Sequence, residues 1–140
     1  MIVLDTNVVS ELMRSVPAPA VVGWLRTRSP SELVTTAVTL AEVGYGIARL
    51  PEGHRKAQLE GAAVAVFSVF PEQVLAFDAQ AAQQYGDVVD RRERSGAPID
   101  GFDAQIASIC RAHDAALATR NVKDFADTGI NVINPWLELP

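Results

Sequence analysis

Cysteine is nearly missing from this chain. Cys110 stands alone, so no intramolecular disulfide can form and a reducing cytoplasm is the expected setting. It falls in an apolar helical pattern and reads as a small core residue. Long apolar runs are missing too, since none approaches the ~20 residues that a membrane span needs. The N-terminus carries no basic n-region and no cleavage site, so secretion is not expected. There is no glycine-rich phosphate loop and no serine in a nucleophile elbow, which leaves those two chemistries without support. His54 and His113 are not in metal-ligand spacing with each other or with Cys110, so a zinc site is not expected. An excess of positive charge is lacking as well. Acidic residues number 17 against 12 basic ones, for a net charge of −5. That argues against gripping nucleic acid by charge alone. It leaves open an enzyme whose acids hold metal ions that in turn touch phosphates. Ten of the basic residues are arginine, the better type for bidentate phosphate contacts.

No linker, repeat or low-complexity tract divides the 140 residues, and one domain spanning 1–140 is expected. A hydrophobic content of 49% with mean hydropathy of +0.13 indicates a packed globular protein. The chain is organised around its first residues. Ile2, Val3 and Leu4 form an apolar run that stops abruptly at Asp5, Thr6 and Asn7. Such a run suits a central strand of a parallel sheet covered on both faces. Ligands collect just beyond the carboxyl ends of such strands, where Asp5 would stand. Equally, Asp5 and Asn7 suit a polar turn that caps the next helix.

Strand-like and helix-like pieces then alternate. A short helix is expected over Val8–Arg14 with Leu12 and Met13 inward, interrupted by Pro17 and Pro19. Another begins at Ala20 and carries Val21, Trp24 and Leu25 inward until Pro30. Leu33–Thr36 reads as a second strand. A helix opening near Thr39 places Leu40, Val43, Ile47 and Leu50 on one face until Pro51. The next keeps helical spacing from Leu59 through Phe70 to Pro71. Val74–Phe77 reads as a strand, and Asp78 as the cap of a helix ending at Gly96 and Pro98. A helix from near Asp100 carries Phe102, Ile106, Ile109 and Cys110. Ala116–Thr119 and Val132–Ile133 complete the strands. Short strands separated by helices indicate an α/β fold, a three-layer α/β/α domain with a central parallel sheet.

On that frame Asp5, Glu42, Asp103 and Asp124 all fall where strands end or helices begin. Each has a plain structural role available. Glu42 could be an exposed helix residue, though its neighbours Leu40, Ala41, Val43 and Gly44 are uncharged. Asp100 and Asp103 are spaced as a helix cap and its third residue. Asp124 could simply open a turn before Phe125. Four acids at equivalent topological positions favour a site. Carboxylates forced together need a cation, and hard oxygen ligands without His or Cys select Mg²⁺ or Mn²⁺. The chemistry that remains is metal-assisted attack of water on a phosphodiester.

Four stretches carry a resemblance. They are Ile2-Val3-Leu4-Asp5-Thr6-Asn7, Thr39-Leu40-Ala41-Glu42, Asp103-Ala104-Gln105-Ile106-Ala107, and the run from Leu117 to Phe125. Together, in this order and over the whole length, the chain resembles a PIN domain, and most closely the VapC-type toxins with their FitB-like members. The resemblance implies a Mg²⁺- or Mn²⁺-dependent endoribonuclease, the toxin of a type II toxin–antitoxin pair. It also implies a homodimer, neutralised by a small VapB-like antitoxin that binds DNA. Carried over by position, Asp5, Glu42 and Asp103 match the acidic triad, with Asp5 and Asp103 the most direct metal ligands. Thr6 matches the supporting hydroxyl. Many relatives place an acid where this chain has Asn121, with Asp124 three residues later, so either residue could fill the fourth position. Arg14, Arg26, Arg28, Arg49, Arg120 and Lys123 are candidate phosphate contacts, and each also suits a solvated surface.

Two other classes compete with this reading. A signalling receiver domain also sets acids after parallel strands, and Thr119 and Lys123 would fit loosely. It requires paired acids after the first strand, whereas Asp5 has no acidic neighbour. An inactive PIN scaffold that only binds its antitoxin is the nearer rival, and the intact triad speaks against it.

Overall fold

The computed structural model describes residues 1–70 and 73–138. Ile2, Val3 and Leu4 form β1 (Ile2–Leu4), and all three are buried. An apolar run without polar alternation is stable only in a strand covered on both faces. Within the described residues β1 is the middle strand of a sheet. The others are β2 (Leu33–Thr36), β3 (Val74–Leu75), β4 (Ala116–Ala118) and β5 (Val132–Ile133). Their order is β3-β2-β1-β4-β5, and every pair is parallel. Ile2 sits opposite Leu33 on one side and Ala116 on the other.

Side chains alternate across a strand, so β1 feeds two cores. Ile2 and Leu4 face a cluster built mainly with α1 (Thr6–Leu12), α2 (Pro19–Arg26), α3 (Ala37–Ala48) and α4 (His54–Phe67). Val3 faces the other, built with α5 (Ala79–Arg94) and α6 (Gly101–Ala112) around Val88, Ile106, Ile109 and Cys110. The result is the expected three-layer α/β/α arrangement. Among the described residues no helix is long and apolar enough to cross a membrane.

Several boundaries differ from the sequence expectation. α1 begins at Thr6 rather than Val8, because Asp5 caps it, and it buries Val8, Val9 and Glu11. Leu12 and Met13 are only half-buried. Pro19 starts α2 instead of interrupting a helix, since a missing N–H costs nothing in the first turn. α3 begins at Ala37 under a Thr36 cap. α4 begins at His54 and ends at Phe67, and Pro71 lies outside the described residues. Leu40 and Phe102 were expected inward but are 46% and 50% exposed. Both stand near the beginning of their helices, where the spacing is right but no neighbour covers them.

Arg92 belongs to the charged last turn of α5, beside Arg91, Glu93 and Arg94, yet it does not face solvent. It is buried, and its Nε donates to the Ala97 carbonyl at 2.7 Å. Its Nη1 donates to the carbonyls of Lys123 at 2.9 Å and Ala126 at 2.8 Å. Gly96, at φ 78°, turns the chain back after α5 and brings Ala97 into reach. The 3₁₀ turn Val122–Phe125 is thereby tied to the end of α5.

Candidate active site

The chain leaves β1 to build β2 and β3 on one side, then returns to build β4 and β5 on the other. Loops diverge at such a switch and leave a crevice beyond the strand ends. Asp5 follows β1 there, and Thr119 follows β4. Asp5 is 4% exposed, and its carboxylate is held from three directions. Oδ1 accepts from the Thr6 amide at 2.8 Å. Oδ2 accepts from Thr119 Oγ1 at 2.7 Å and from Asn7 Nδ2 at 3.2 Å. Both readings of Asp5 are therefore realised, since it caps α1 and stands at the sheet edge. Burial pushes its carboxyl above the ordinary range, more than these hydrogen bonds pull it down.

Thr119 and Asn7 were not singled out as site residues from the sequence. Thr119 Oγ1 accepts from Asn7 Nδ2 at 3.0 Å and from the Asn121 amide at 3.1 Å. Its one proton is thus committed to Asp5. Asn7 Oδ1 accepts from the Arg120 amide at 3.0 Å, which clips the β4 loop to the start of α1. The available signal was positional, because Thr119 ends its strand as Asp5 ends β1.

Glu42 lies in the second turn of α3 and accepts from Thr6 Oγ1 at 2.8 Å. With the Thr6 proton spent there, Thr39 must donate to Thr6, at 3.2 Å. Thr36 donates to Thr39 in turn, at 3.4 Å. A row of hydroxyls therefore points its protons toward Glu42. Burial raises the Glu42 carboxyl, the Thr6 bond opposes this, and the charges of Asp5 and Asp100 add to the rise.

Asp103 is the third residue of α6. Asp100 Oδ2 takes the cap, accepting from the amides of Phe102 at 3.0 Å and Asp103 at 3.4 Å. The Asp103 carboxyl lines the cleft instead. It is pushed up to about 7 by burial first, then by the charges of Asp5, Asp100, Asp124 and Glu42. Asp124 is exposed on the 3₁₀ turn and adds charge without lining the cleft, whereas Asn121 lines it. The cleft has a volume of about 670 Å³ and brings together Asp5, Thr6, Glu42, Asp103 and Asn121. Of the candidate phosphate contacts, Arg14 and Arg120 line it, joined by Arg55, which the sequence did not single out. Arg28 lies over the Trp24 ring and Arg49 over that of Tyr45. Arg26 and Lys123 are not among the lining residues.

Among the described residues no three acid, histidine or cysteine side chains close on a single ion. The donor set nonetheless suits Mg²⁺ or Mn²⁺. It is all oxygen, crowded and partly desolvated, and Mg²⁺ commonly takes one or two carboxylates and keeps several waters.

The crowding has a measurable sign. A carboxyl with a raised folded-state pKa binds its proton more tightly folded than unfolded. Its contribution is present at low pH and lost as pH rises toward about 7 for Asp103. Metal-free protein should therefore lose stability between about pH 4 and pH 7, by on the order of 1 kcal/mol after solvent screening. Asp103→Asn should melt about 3 °C above metal-free wild type at pH 8 and gain less at pH 5. Added Mg²⁺ should raise the wild-type melting temperature more at pH 8 than at pH 6, because binding must expel the Asp103 proton. Thermal melts in EDTA and in Mg²⁺ check both, and equal shifts at the two pH values would exclude Asp103 as a ligand.

A parallel sheet with carboxylates at the end of its central strand and on two flanking helices is the arrangement of a PIN domain. The chain belongs to the PIN-domain family, which matches residues 2–131. Within that family, its full-length relatives include a VapC ribonuclease of Sinorhizobium fredii, Y4jK. That protein is 38% identical over 140 residues, covering 97% of this chain and 98% of the relative. Toxin FitB of Neisseria gonorrhoeae is 34% identical over 137 residues, covering 97% and 99%. The crystal structure of FitAcB from that organism matches with a TM-score of 0.90 at 32% identity, covering 99% of this chain and 100% of that one. VapBC2 from Rickettsia felis, bound to a DNA fragment from their promoter, matches with a TM-score of 0.82 at 25% identity, covering 96% and 98%.

Proposed function

We propose that this chain is a single PIN domain over residues 1–140 and the toxin of a type II toxin–antitoxin pair. It acts as an endoribonuclease that hydrolyses phosphodiester bonds in RNA. The observation that carries this reading is the meeting of Asp5, Glu42 and Asp103 in one cleft at the β1–β4 switch. Asp5 and Asp103 would hold Mg²⁺, or Mn²⁺ in its place, with Glu42 beside them. The bound ion would activate water and stabilise charge on the phosphate. Thr6 fixes Glu42, while Thr119 and Asn7 fix Asp5, so both acids present their remaining lone pairs in set directions. Asn121, at the cleft wall, is placed to orient water or a phosphate oxygen, and Asp124 adds charge from outside. An inactive scaffold has no support, because the triad is intact and full-length relatives are named ribonucleases.

The partner is a small VapB-like antitoxin that also binds DNA, as the FitAcB and VapBC2 complexes suggest by likeness. A homodimer fits the exposed apolar side chains Tyr45 on α3 and Val64 on α4. A cytoplasmic setting fits an RNA substrate and the unpaired Cys110. Cleavage mapping on total cellular RNA tests the reading. Protein stripped with EDTA should cut nothing, and Mg²⁺ or Mn²⁺ should restore discrete cuts. Equal cutting in EDTA would refute the metal, and no cutting in any metal would refute the nuclease.

A further inference from the structure

The proposed nuclease reading places the chemistry in the cleft but not the nucleotides beside it. Arg120 and Trp136 line the same cleft as the acids. The Arg120 guanidinium carbon lies 4.9 Å from the centre of the Trp136 ring, so the cation covers the indole. Trp136 is half-buried and packs on the core beneath α1–α4, which makes it a fixed base for the pair. Arg120 itself is exposed, and its outer side faces solvent. Its backbone is anchored through Asn7, which also bonds Asp5. The pair is thus tied to the acid at the centre of the site by two consecutive hydrogen bonds. Among the described residues Arg120 forms no ion pair, although four carboxylates line the same cleft. A guanidinium held on an indole, rather than spent on an acid, is a flat cationic surface.

Flat cationic and aromatic surfaces are what unpaired bases stack on, and Arg planes and indoles both serve in single-strand recognition. A phosphate contact alone would not need the indole beneath it. We propose that Arg120, backed by Trp136, is the stacking platform for an unpaired nucleobase next to the scissile phosphate. This inference rests on the ribonuclease reading and adds to it the substrate's form, a single-stranded segment whose flanking base is turned out of its stack. Bases in a duplex are stacked on each other and present no free face to the platform.

The test uses the full chain with Mg²⁺ and an oligoribonucleotide copied from the mapped cleavage site. It is prepared intact, with an abasic nucleotide on either side of the scissile bond, and annealed to its complement. With the intact strand, Arg120→Ala should raise KM about tenfold and move kcat less. On the abasic strand that matches the platform, wild type should already show the higher KM and Arg120→Ala should add little to it. The annealed strand should be cut poorly by both proteins. Arg120→Lys, which keeps the charge and loses the plane, should behave like Arg120→Ala. Trp136→Phe, which keeps a ring on the core, should fall between wild type and Arg120→Ala. If Arg120→Ala acts equally on intact and abasic strands, or Arg120→Lys restores wild-type KM, Arg120 is a phosphate contact and the platform is overturned. If wild type cuts none of the strands in any metal, the nuclease reading falls, and the platform with it.

Discussion

Asp5→Asn is expected to yield a folded protein whose RNA cleavage is lower by about 10²–10³-fold, the usual cost of one well-placed electrostatic group. The substitution separates the two roles that Asp5 plays in the structure. Asparagine is as good a helix cap as aspartate, so the start of α1 should survive it. The site should not. Asp5 Oδ2 faces two donors, Thr119 Oγ1 and Asn7 Nδ2, and Oδ1 faces a third, the Thr6 amide. An amide has one oxygen, so in either orientation its NH₂ meets a donor. The negative charge that would meet a cation is also gone. Because burial already disfavours the charged carboxyl, the neutral variant should melt within a few degrees of metal-free wild type. Single-turnover cleavage and a thermal melt measured together decide the matter. Cleavage within tenfold of wild type, with a normal melt, would make Asp5 only a cap.

Arg92→Met should be the most destabilising single change outside the cores. Arg92 is buried and has no acidic partner among the described residues. Its charge is met by three carbonyls, those of Ala97, Lys123 and Ala126. Methionine fills much of the volume but donates nothing. An orphaned buried carbonyl costs about 1–3 kcal/mol, and Lys123 keeps a weaker bond from the Ala126 amide at 3.4 Å. A loss of about 3 kcal/mol follows, or on the order of 10 °C in melting temperature. Arg92→Lys should recover little, because an ammonium lacks the planar fork that reaches separate carbonyls. Cleavage should fall beyond the loss of folded protein, since the freed turn carries Asp124 and adjoins Asn121. A melt within 2 °C of wild type would mean that the turn is held by other contacts.

Much of this architecture was legible in the residues, for identifiable reasons. β1 and β5 could be bounded because each is a short apolar run that stops at a polar residue, and β2 because Val34, Thr35 and Thr36 are a β-branched run. Asp5, Glu42 and Asp103 could be gathered because a parallel sheet sends all its strand ends to one edge. Periodicity was a weaker guide. It chose the right faces of α3 and α6, yet Leu40 and Phe102 lie exposed where those faces outrun their neighbours. The missed residues act across distances that sequence does not display. Asn7 and Thr119 are 112 positions apart, and Arg92 reaches carbonyls 31 and 34 positions away. Arg92 is hidden further by its company, since nothing in the charged run Arg91-Arg92-Glu93-Arg94 marks one member as buried.

The place of β1 in the sheet also bears on when the protein can become active. Among the described strands β1 comes first in the chain, yet one of its two partners, β4, comes after both β2 and β3. The hydroxyl that orients Asp5 comes from Thr119, 114 positions later. A nascent chain can pair β1 with β2 and pack α1–α4 upon them while the other flank of β1 is still empty. Until β4 has been made the cleft is therefore half a cleft, with Asp5 lacking Thr119 and with no wall from Asn121. Completion of the cleft therefore waits on the pairing of β4 with β1.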